Sequence, residues 1–371
     1  MRHGWRDALP YYPLLPLGAL IALVWASTGP ESYFRFAQQL AFPVNDIGVA
    51  FDLAWLAQEV LESTMPHGST SLRRQTWLAV AMATGGALAA AATYAIYVQL
   101  SDESVLLRGW PIVCGVDVFF GVVVARSIFR RGAAVNVVIL IALVSDVIAL
   151  LLVSRRPFVT TANGAAFGLI ALALAVSFLF RRAGVRTMWA YLLVAGSLAW
   201  FGCYWAGVHP ALALLPIVPF FPRAARTLGD FATERHDHAS STHFESALAG
   251  PLQVVAFLFG LVNAGVLWRE FGTGTWAVLT ACLVGRPVGI LVSAALWEPA
   301  WRQYLRWPDL IVIAFIGSIG SVFALFLSTA VFPDGPLLAQ AKLGAIATLA
   351  GVLLAAGAAR TLRVGRFVGG R

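Results

Sequence analysis

Long apolar runs, separated by short charged or Gly/Pro-rich segments, dominate the chain. Each run approaches the roughly 20 apolar residues that a helix needs to cross a bilayer. We place spans near residues 11–28, 44–61, 76–99, 109–127, 134–153, 162–180, 186–206, 208–222, 246–266, 275–297, 308–331 and 337–359. The pattern predicts an all-α polytopic membrane protein with about twelve transmembrane helices.

Composition supports this class of protein. The chain has 371 residues, of which 59% are apolar and 12% charged, and its mean hydropathy is +0.79. Soluble domains carry about a quarter charged residues, so a soluble enzyme, a secreted domain and a disordered chain are excluded. Because the sequence also has no metalloprotease His-Glu pair, nucleophile elbow or phosphate-binding loop, we expect neither an enzyme nor a cofactor.

The net charge of +8 follows membrane topology rather than a nucleic-acid-binding face. Most arginines fall in loops that alternate onto one side, which is the positive-inside pattern. We therefore expect a multi-pass protein of the bacterial inner membrane, with lipid around it, both termini cytoplasmic and no nucleic-acid partner. The longest hydrophilic segment, residues 223–245, becomes a cytoplasmic loop. Its histidine cluster could act as a pH sensor, but an ordinary solvated loop is the favoured interpretation.

Five ionisable residues lie inside apolar runs, namely Asp46, Asp52, Asp117, Asp146 and Arg286. Each costs at least ~2.5–3.5 kcal/mol in a membrane helix, so each requires a reason. Asp146 follows a long apolar stretch with no local partner. Burial disfavours a charged carboxylate and a neighbouring cation favours it, and these opposing effects can make its proton exchangeable for a cation. The alternative is a structural ion pair or a hydrogen bond between helices.

Two spans are interrupted by glycine, proline or serine. One break lies between Gly109 and Asp117, and the other lies within 317–321. Paired interruptions of this kind are typical of a transporter site at the membrane midplane. Asp117 and a nearby cation would compensate the half-helix dipoles. The alternative is an ordinary kink in each span.

The second predicted span has an acidic face. Asp52 and Glu59 are seven residues apart and therefore share one side of a helix, with Glu62 about one turn beyond. Such a stripe can draw cations inward from the cytoplasm. Glu59 and Glu62 are equally compatible with a solvated helix end.

With these features in place, the sequence resembles the NhaA family of bacterial sodium/proton antiporters over nearly its whole length. Eight pieces occur in the family's order: Val44-Asn45-Asp46 with Glu59 downstream, Arg74-Gln75 with Gly85-Gly86, Gly109-Trp110-Pro111-Ile112 with Asp117, the buried Asp146, Gly207-Val208-His209, Asn263-Ala264-Gly265-Val266, Gly285-Arg286-Pro287-Val288-Gly289-Ile290, and Ala341-Lys342-Leu343-Gly344.

The resemblance implies a single transporter domain, 1–371, of two bundles. One is a core of inverted repeats with two crossed discontinuous helices, near residues 76–153 and 275–359, and the rest forms the second bundle. The resemblance also implies that Asp146 binds Na⁺ and carries the proton, that Asp117 compensates the charge of the helix crossing, and that Glu59 lies at the cytoplasmic entrance. Asp46, His209, Glu245 and Lys342 are further family-matched positions. A homodimer is allowed, although the outer segment between the first two spans is short.

Three positions depart from the family's pattern. Its adjacent aspartate pair is Ser145-Asp146, its tenth-span lysine is Arg286, and the threonine before Asp117 is Val116. Because neither serine nor arginine can titrate in a protein, we expect one proton per cation and an electroneutral exchange. We hypothesise that Asp52 pairs with Arg286 or gives the site a second charge. The milder alternative is that Asp52 contacts water at the end of the cytoplasm-facing funnel that the family resemblance implies.

The sequence thus predicts an antiporter that exchanges Na⁺ or Li⁺ for protons by alternating access. Two alternatives remain at this point. The first is a transporter on the same fold for a small organic anion, held through Arg286. The second is a non-transporting relative that senses ions or pH.

Overall fold

The computed structural model describes the whole chain except residues 1–13, 65–69, 130–131, 155–163, 223–241, 269 and 369–371. The described residues are mostly helical and contain no β-strand. The helices are α1 (Leu14–Thr28), α2 (Pro30–Phe42), α3 (Val49–Thr64), α4 (Thr70–Leu100), α5 (Val118–Phe129), α6 (Ala133–Val153), α7 (Gly164–Arg182), α8 (Met188–Ala190), α9 (Ser197–Ala206), α10 (Thr242–Asn263), α11 (Thr273–Thr280), α12 (Arg286–Leu296), α13 (Glu298–Trp301), α14 (Trp307–Gly317), α15 (Ser321–Val331), α16 (Pro336–Ala347) and α17 (Ala350–Thr361).

Short π-helical or 3₁₀ segments continue several of these helices. Pro43–Gly48 joins α2 to α3, Tyr191–Gly196 joins α8 to α9, and Ala281–Gly285 joins α11 to α12. The 3₁₀ helix Ser104–Cys114 precedes α5. The chain is therefore helical across most predicted spans, as the hydropathy pattern indicates.

Within the described residues, six helices are long and apolar enough to cross a membrane, or up to eight if each bent pair is one span. The chain is therefore an α-helical membrane protein, whereas the number of twelve spans is not reproduced. Two shorter apolar helices, α1 and residues 250–263 of α10, fall below that length. A helix of 15 residues, such as α1, rises only about 22 Å, which is less than the hydrocarbon thickness.

The eighth predicted span, 208–222, is wrong as a helix. This segment contains only the short 3₁₀ turns Pro210–Leu212 and Val218–Phe220. Four prolines, at positions 210, 216, 219 and 222, explain the error. Each lacks a backbone N–H and clashes with the preceding turn, so an apolar sequence alone does not make a helix there.

Both interrupted spans are confirmed. The 3₁₀ helix Ser104–Cys114 and α5 are bent by 48° across residues 115–117, and α14 and α15 are bent by 42° across residues 318–320. Non-helical backbone at membrane depth is tolerated only where it is buried in protein or lines a cavity. The breaks therefore require partners for their freed amides and carbonyls.

The chain divides into two compact units. Unit 1 comprises residues 1–41, 66–153 and 257–371, and unit 2 comprises residues 42–65 and 154–256. In unit 1, α4 packs closely on α12 through glycines. A Cβ on Gly289 would lie 2.2 Å from the carbonyl oxygen of Gly85, and a Cβ on Gly85 would lie 1.8 Å from Oγ of Ser293. This contact brings Arg286, at the start of α12, beside α4.

Unit 2 has an apolar core of its own. It is formed by buried residues of α3, α7 and α9 together with the proline-rich segment that follows α9. The ring of Tyr191 packs edge-on against Phe180, with centroids 5.5 Å apart, and against Phe221 at 6.0 Å. The proline-rich segment is thus held by side-chain packing in addition to its own short-range backbone hydrogen bonds.

Candidate ion-binding site

Asp117 links the two helix breaks of unit 1. Its Oδ1 accepts a hydrogen bond from the amide of Phe120, 3.1 Å away, in the first turn of α5. Its Oδ2 accepts from Oγ of Ser321 at 2.6 Å and from the amide of Val322 at 2.8 Å, in the first turn of α15. One fully buried carboxylate therefore caps the N-termini of both half-helices. A negative charge is stabilised at that position by both dipoles.

The backbone of Asp117 adds a further link. Its amide donates to the carbonyl oxygen of Ile319 at 2.7 Å, so main chain and side chain both cross from one break to the other. Gly115 permits this approach, because a Cβ there would lie 2.5 Å from the Phe323 ring. Compensation of the helix crossing by Asp117, expected from the sequence, stays a prediction.

Asp146 lies beside the first break. Its carboxylate is buried, and Oδ1 accepts a hydrogen bond from the amide of Val116 at 2.9 Å. Both Asp117 and Arg286 are close enough to interact with it electrostatically. Ser145, the preceding residue on α6, is also buried. The predicted ion-site acid thus lies against unwound backbone, where freed amides and carbonyls can complete an ion's surroundings.

Arg286 approaches the same break from α12. Its Nη2 donates a hydrogen bond to the carbonyl oxygen of Val113, near the C-terminal end of the 3₁₀ helix Ser104–Cys114. A cation is favourable there because helix C-termini are negative. The buried Nε and Nη1 atoms have no hydrogen-bond partner among the described residues. Arg286 and Asp117 therefore serve opposite helix ends at the same break.

Asp52 is buried in α3 of unit 2, with 3% of its surface exposed. Neither carboxylate oxygen has a hydrogen-bond partner in the part of the chain that the structure describes. Burying a polar group without compensation costs several kcal/mol, so this residue is as unusual structurally as it is in sequence. Its pairing with Arg286 stays a prediction.

Asp46 and His209 meet within unit 2. Nε2 of His209 lies 3.7 Å from Oδ1 of Asp46. The amide of His209 donates to Oγ of Ser154 at 2.8 Å, and its Nδ1 accepts from the amide of Ala211 at 3.3 Å. His209 thereby caps the 3₁₀ turn Pro210–Leu212. Asp46 and His209, two of the positions that the resemblance matches to the family, are therefore neighbours in unit 2.

Lys342 belongs to a separate cluster in unit 1. Its buried Nζ donates to the carbonyl oxygen of Gly265 at 3.2 Å. The amide of Gly265 donates to the hydroxyl of Tyr33 at 2.9 Å, and that hydroxyl donates toward Leu261 and Val262, whose carbonyl oxygens lie at 3.0 and 2.9 Å. Together Tyr33 and Lys342 satisfy the backbone where α10 ends. Sequence reasoning did not single out Tyr33, because it lies in a polar stretch between predicted spans.

Three predicted acids have side chains outside the described part of the structure, namely Glu59 and Glu62 of α3 and Glu245 of α10. The same holds for residues 223–241 of the predicted cytoplasmic loop, whereas residues 242–245 are already helical. Ser321 was visible as part of the Gly/Ser break, yet only the structure reveals its bond to Asp117.

Two bent, discontinuous helices held together at mid-helix by a buried carboxylate define a class of membrane protein, the secondary transporters with broken helices. Comparison with known proteins identifies the family. Residues 14–362 match the family described as Na⁺/H⁺ antiporter 1. The chain belongs to this family.

Individual relatives cover almost the whole chain. It is 34% identical over 358 residues to the Na⁺/H⁺ antiporter NhaA of Desulfitobacterium hafniense (strain DSM 10664 / DCB-2), which covers 92% of each chain. It is 33% identical to the Na⁺/H⁺ antiporter NhaA of Geotalea uraniireducens (strain Rf4), covering 95% of each chain. A third relative, the Na⁺/H⁺ antiporter NhaA of Jannaschia sp. (strain CCS1), is 31% identical over 93% of this chain and 94% of its own.

Proposed function

We propose that this protein is a sodium/proton antiporter of the bacterial inner membrane, which exchanges Na⁺ or Li⁺ for H⁺ by alternating access. The observation that carries the proposal is the position of Asp146. Its buried carboxylate lies at a helix break within electrostatic reach of Asp117 and Arg286. A carboxylate in that setting can hold either a proton or a small cation, but not both at full charge.

Oxygen atoms suit a hard alkali cation. Asp146 supplies a carboxylate, Ser145 a hydroxyl, and the unwound residues 115–117 supply backbone carbonyls. Na⁺ is the cargo in this scheme, so the site must release it as readily as it binds it. Protonation of Asp146 removes the negative charge that retains the cation, which couples the two ions at a single side chain.

Arg286 and Asp117 have supporting roles in this proposal. Arginine stays protonated in proteins, so Arg286 supplies a permanent positive charge beside the C-terminal carbonyl of Val113. Asp117 neutralises the two half-helix N-termini that it caps. The fixed charges keep the breaks intact while Asp146 changes its ion.

The stoichiometry follows from the titratable groups. The immediate site has one carboxylate that can change its proton, because Ser145 and Arg286 cannot. We therefore propose one proton per cation and an electroneutral cycle. Asp52 remains the candidate for a second charge, Asp46 and His209 are proposed as a supporting pair, and Glu59 and Glu62 are proposed as the cytoplasmic entrance.

The alternatives from the sequence are not favoured. All three relatives described above carry the name of an Na⁺/H⁺ antiporter. A cytoplasmic location of both termini and a homodimer are proposed from the arginine distribution and the family resemblance, respectively.

The test is a pH-gradient assay in everted membrane vesicles. Respiration acidifies the vesicle interior, and the resulting pH gradient quenches a fluorescent dye. Na⁺ or Li⁺ is then added. We expect dequenching with wild-type protein and none with Asp146→Asn. As a matched control, Asp309→Asn changes a partly exposed helix-capping aspartate and should transport like wild type. A silent wild-type protein that is present in the membrane would overturn the proposal.

A further inference from the structure

The two helix breaks of unit 1 are anchored in the same way. At the first break, the amide of Val116 donates to Oδ1 of Asp146 on α6, over 2.9 Å. At the second, the amide of Gly320 donates to Oγ1 of Thr348, at the end of α16, over 3.1 Å. Each break thus has one freed backbone amide that is satisfied by a buried side chain from another helix.

The two anchors also correspond along the chain. Val116 and Asp146 are 30 residues apart, and Gly320 and Thr348 are 28 residues apart. In both cases the order is half-helix, break, half-helix and then the helix that supplies the acceptor. Thr348 is therefore the counterpart, in the second half of unit 1, of the acid at the proposed ion site.

The chemistry of the two acceptors differs. A carboxylate can gain a proton or bind a cation, whereas a threonine hydroxyl keeps the same charge throughout. The hydroxyl of Thr348 also donates its single hydrogen to the carbonyl oxygen of Ala345 at 2.6 Å. Its lone pair is thereby left to accept from Gly320, so this anchor is fixed in both geometry and charge.

A short series of contacts connects the two anchors. Gly320 immediately precedes Ser321 and is close to Val322, and both of these residues donate to Oδ2 of Asp117. Asp117 in turn follows Val116, the residue bonded to Asp146. The backbone at the second break therefore determines where Asp117 lies, and Asp117 determines where the first break presents its amide to Asp146.

We infer that Thr348 is a positioning residue for the ion-exchange site, holding the second break through Gly320 so that Asp117 and Asp146 keep their geometry. The inference rests on the proposed function, because it assigns Thr348 a role in exchange at Asp146. It also makes the two halves of unit 1 unequal. One anchor exchanges ions, and the other stays constant during the cycle.

Thr348→Val tests this directly, because valine has nearly the same shape but offers no acceptor. The amide of Gly320 is then buried without a partner, which destabilises the second break. In proteoliposomes we expect the Na⁺ concentration for half-maximal exchange to rise about five- to tenfold, with a smaller change in maximal rate. Thr348→Ser retains the hydroxyl and should restore the wild-type value.

Two control variants isolate the hydrogen bond. Thr84→Val removes a hydroxyl that donates only within its own helix, to the carbonyl oxygen of Val80, and should leave half-saturation unchanged. Gly320→Ala keeps the amide, and its new Cβ would meet its nearest neighbours at 3.5–3.7 Å, which is ordinary contact. It should therefore resemble wild type much more closely than Thr348→Val does.

Hydrogen–deuterium exchange in detergent gives a second measurement that does not depend on transport. We expect the peptide that contains residues 318–322 to exchange at least fivefold faster in Thr348→Val than in wild type or Thr348→Ser. Equal exchange rates, or equal half-saturation in the valine and wild-type proteins, would overturn the inference. If wild type itself exchanges no protons for Na⁺, the proposed function fails, and hydrogen exchange still decides whether Thr348 anchors the break.

Discussion

The role of Asp117 as a shared helix cap leads to a quantitative prediction for Asp117→Asn. Asparagine offers one carbonyl oxygen and one NH₂ group in place of two carboxylate oxygens. The present side chain accepts from Phe120 on one side and from Ser321 and Val322 on the other. Whichever way the amide is oriented, one backbone N–H faces an NH₂ group and loses its partner.

The expected cost is the sum of two effects. A buried amide left without an acceptor costs ~1–3 kcal/mol. Loss of the negative charge removes a dipole interaction of ~0.3–1 kcal/mol at each of two helix N-termini, and up to ~2 kcal/mol where the geometry is buried. We therefore expect Asp117→Asn to lower the free energy of unfolding by about 2–5 kcal/mol. Exchange should fall as well, because the break beside Asp146 is displaced.

Thermal unfolding of the purified protein in detergent is the appropriate assay, and the 13 tryptophans provide the fluorescence signal. Asp309→Asn is the matched control, since that carboxylate also lies in the first turn of a helix and accepts from the amide of Arg306. Asparagine can keep the bond to this amide, and the other contact of Asp309, with Nε of Arg306 at 3.4 Å, is solvent-exposed, so the cost should stay below ~1 kcal/mol. The reasoning is refuted if Asp117→Asn melts at the same temperature as Asp309→Asn.

Three further predictions concern packing, capping and charge. Gly289→Ala should prevent close packing of α4 on α12, because its Cβ would lie 2.2 Å from a backbone oxygen. Gly168→Ala is the control, since its Cβ would meet nothing within 4 Å. The yield of folded protein in detergent should be lower for Gly289→Ala, and equal yields would contradict the packing. Tyr33→Phe removes a hydroxyl that contacts Leu261, Val262 and Gly265 and should lower the melting temperature more than Tyr94→Phe, whose hydroxyl has one such bond, to Leu106. Asp52→Asn should leave the proton-to-sodium ratio unchanged, because the proposed cycle carries its one proton on Asp146, and an altered ratio would show that Asp52 carries a second proton.

The side chains that meet at the two helix breaks were largely predictable from the sequence. Asp117, Asp146 and Arg286 were identified because a charge in a membrane helix needs a reason, and both breaks were visible as Gly, Pro and Ser within apolar runs. Their partners were not predictable. Arg286 and Asp146 bond to backbone atoms of Val113 and Val116, and every residue carries such atoms, so no side-chain pattern marks them.

The fold was less completely predictable. The segment 208–222 has the hydropathy of a span but the prolines of an irregular segment, and covalent geometry prevails over hydropathy there. The opposite error concerns α2. Its residues include Glu31 and Arg35 and have the pattern of a polar loop, yet they form a helix that buries Tyr33 and Ala37. Local sequence does not reveal that Tyr33 satisfies the end of α10, because the two are 228 residues apart.

The coupling ratio of wild-type protein in proteoliposomes tests the central proposal most directly. Na⁺ and H⁺ gradients are set in the same direction, so that their driving forces on an exchanger oppose each other, while valinomycin and K⁺ clamp the membrane potential. The condition of zero net flux is then located. A single exchanging carboxylate, Asp146, predicts zero flux when the two concentration ratios are equal, at every clamped potential. A balance point that moves with potential would show that a second proton is carried and would contradict the account.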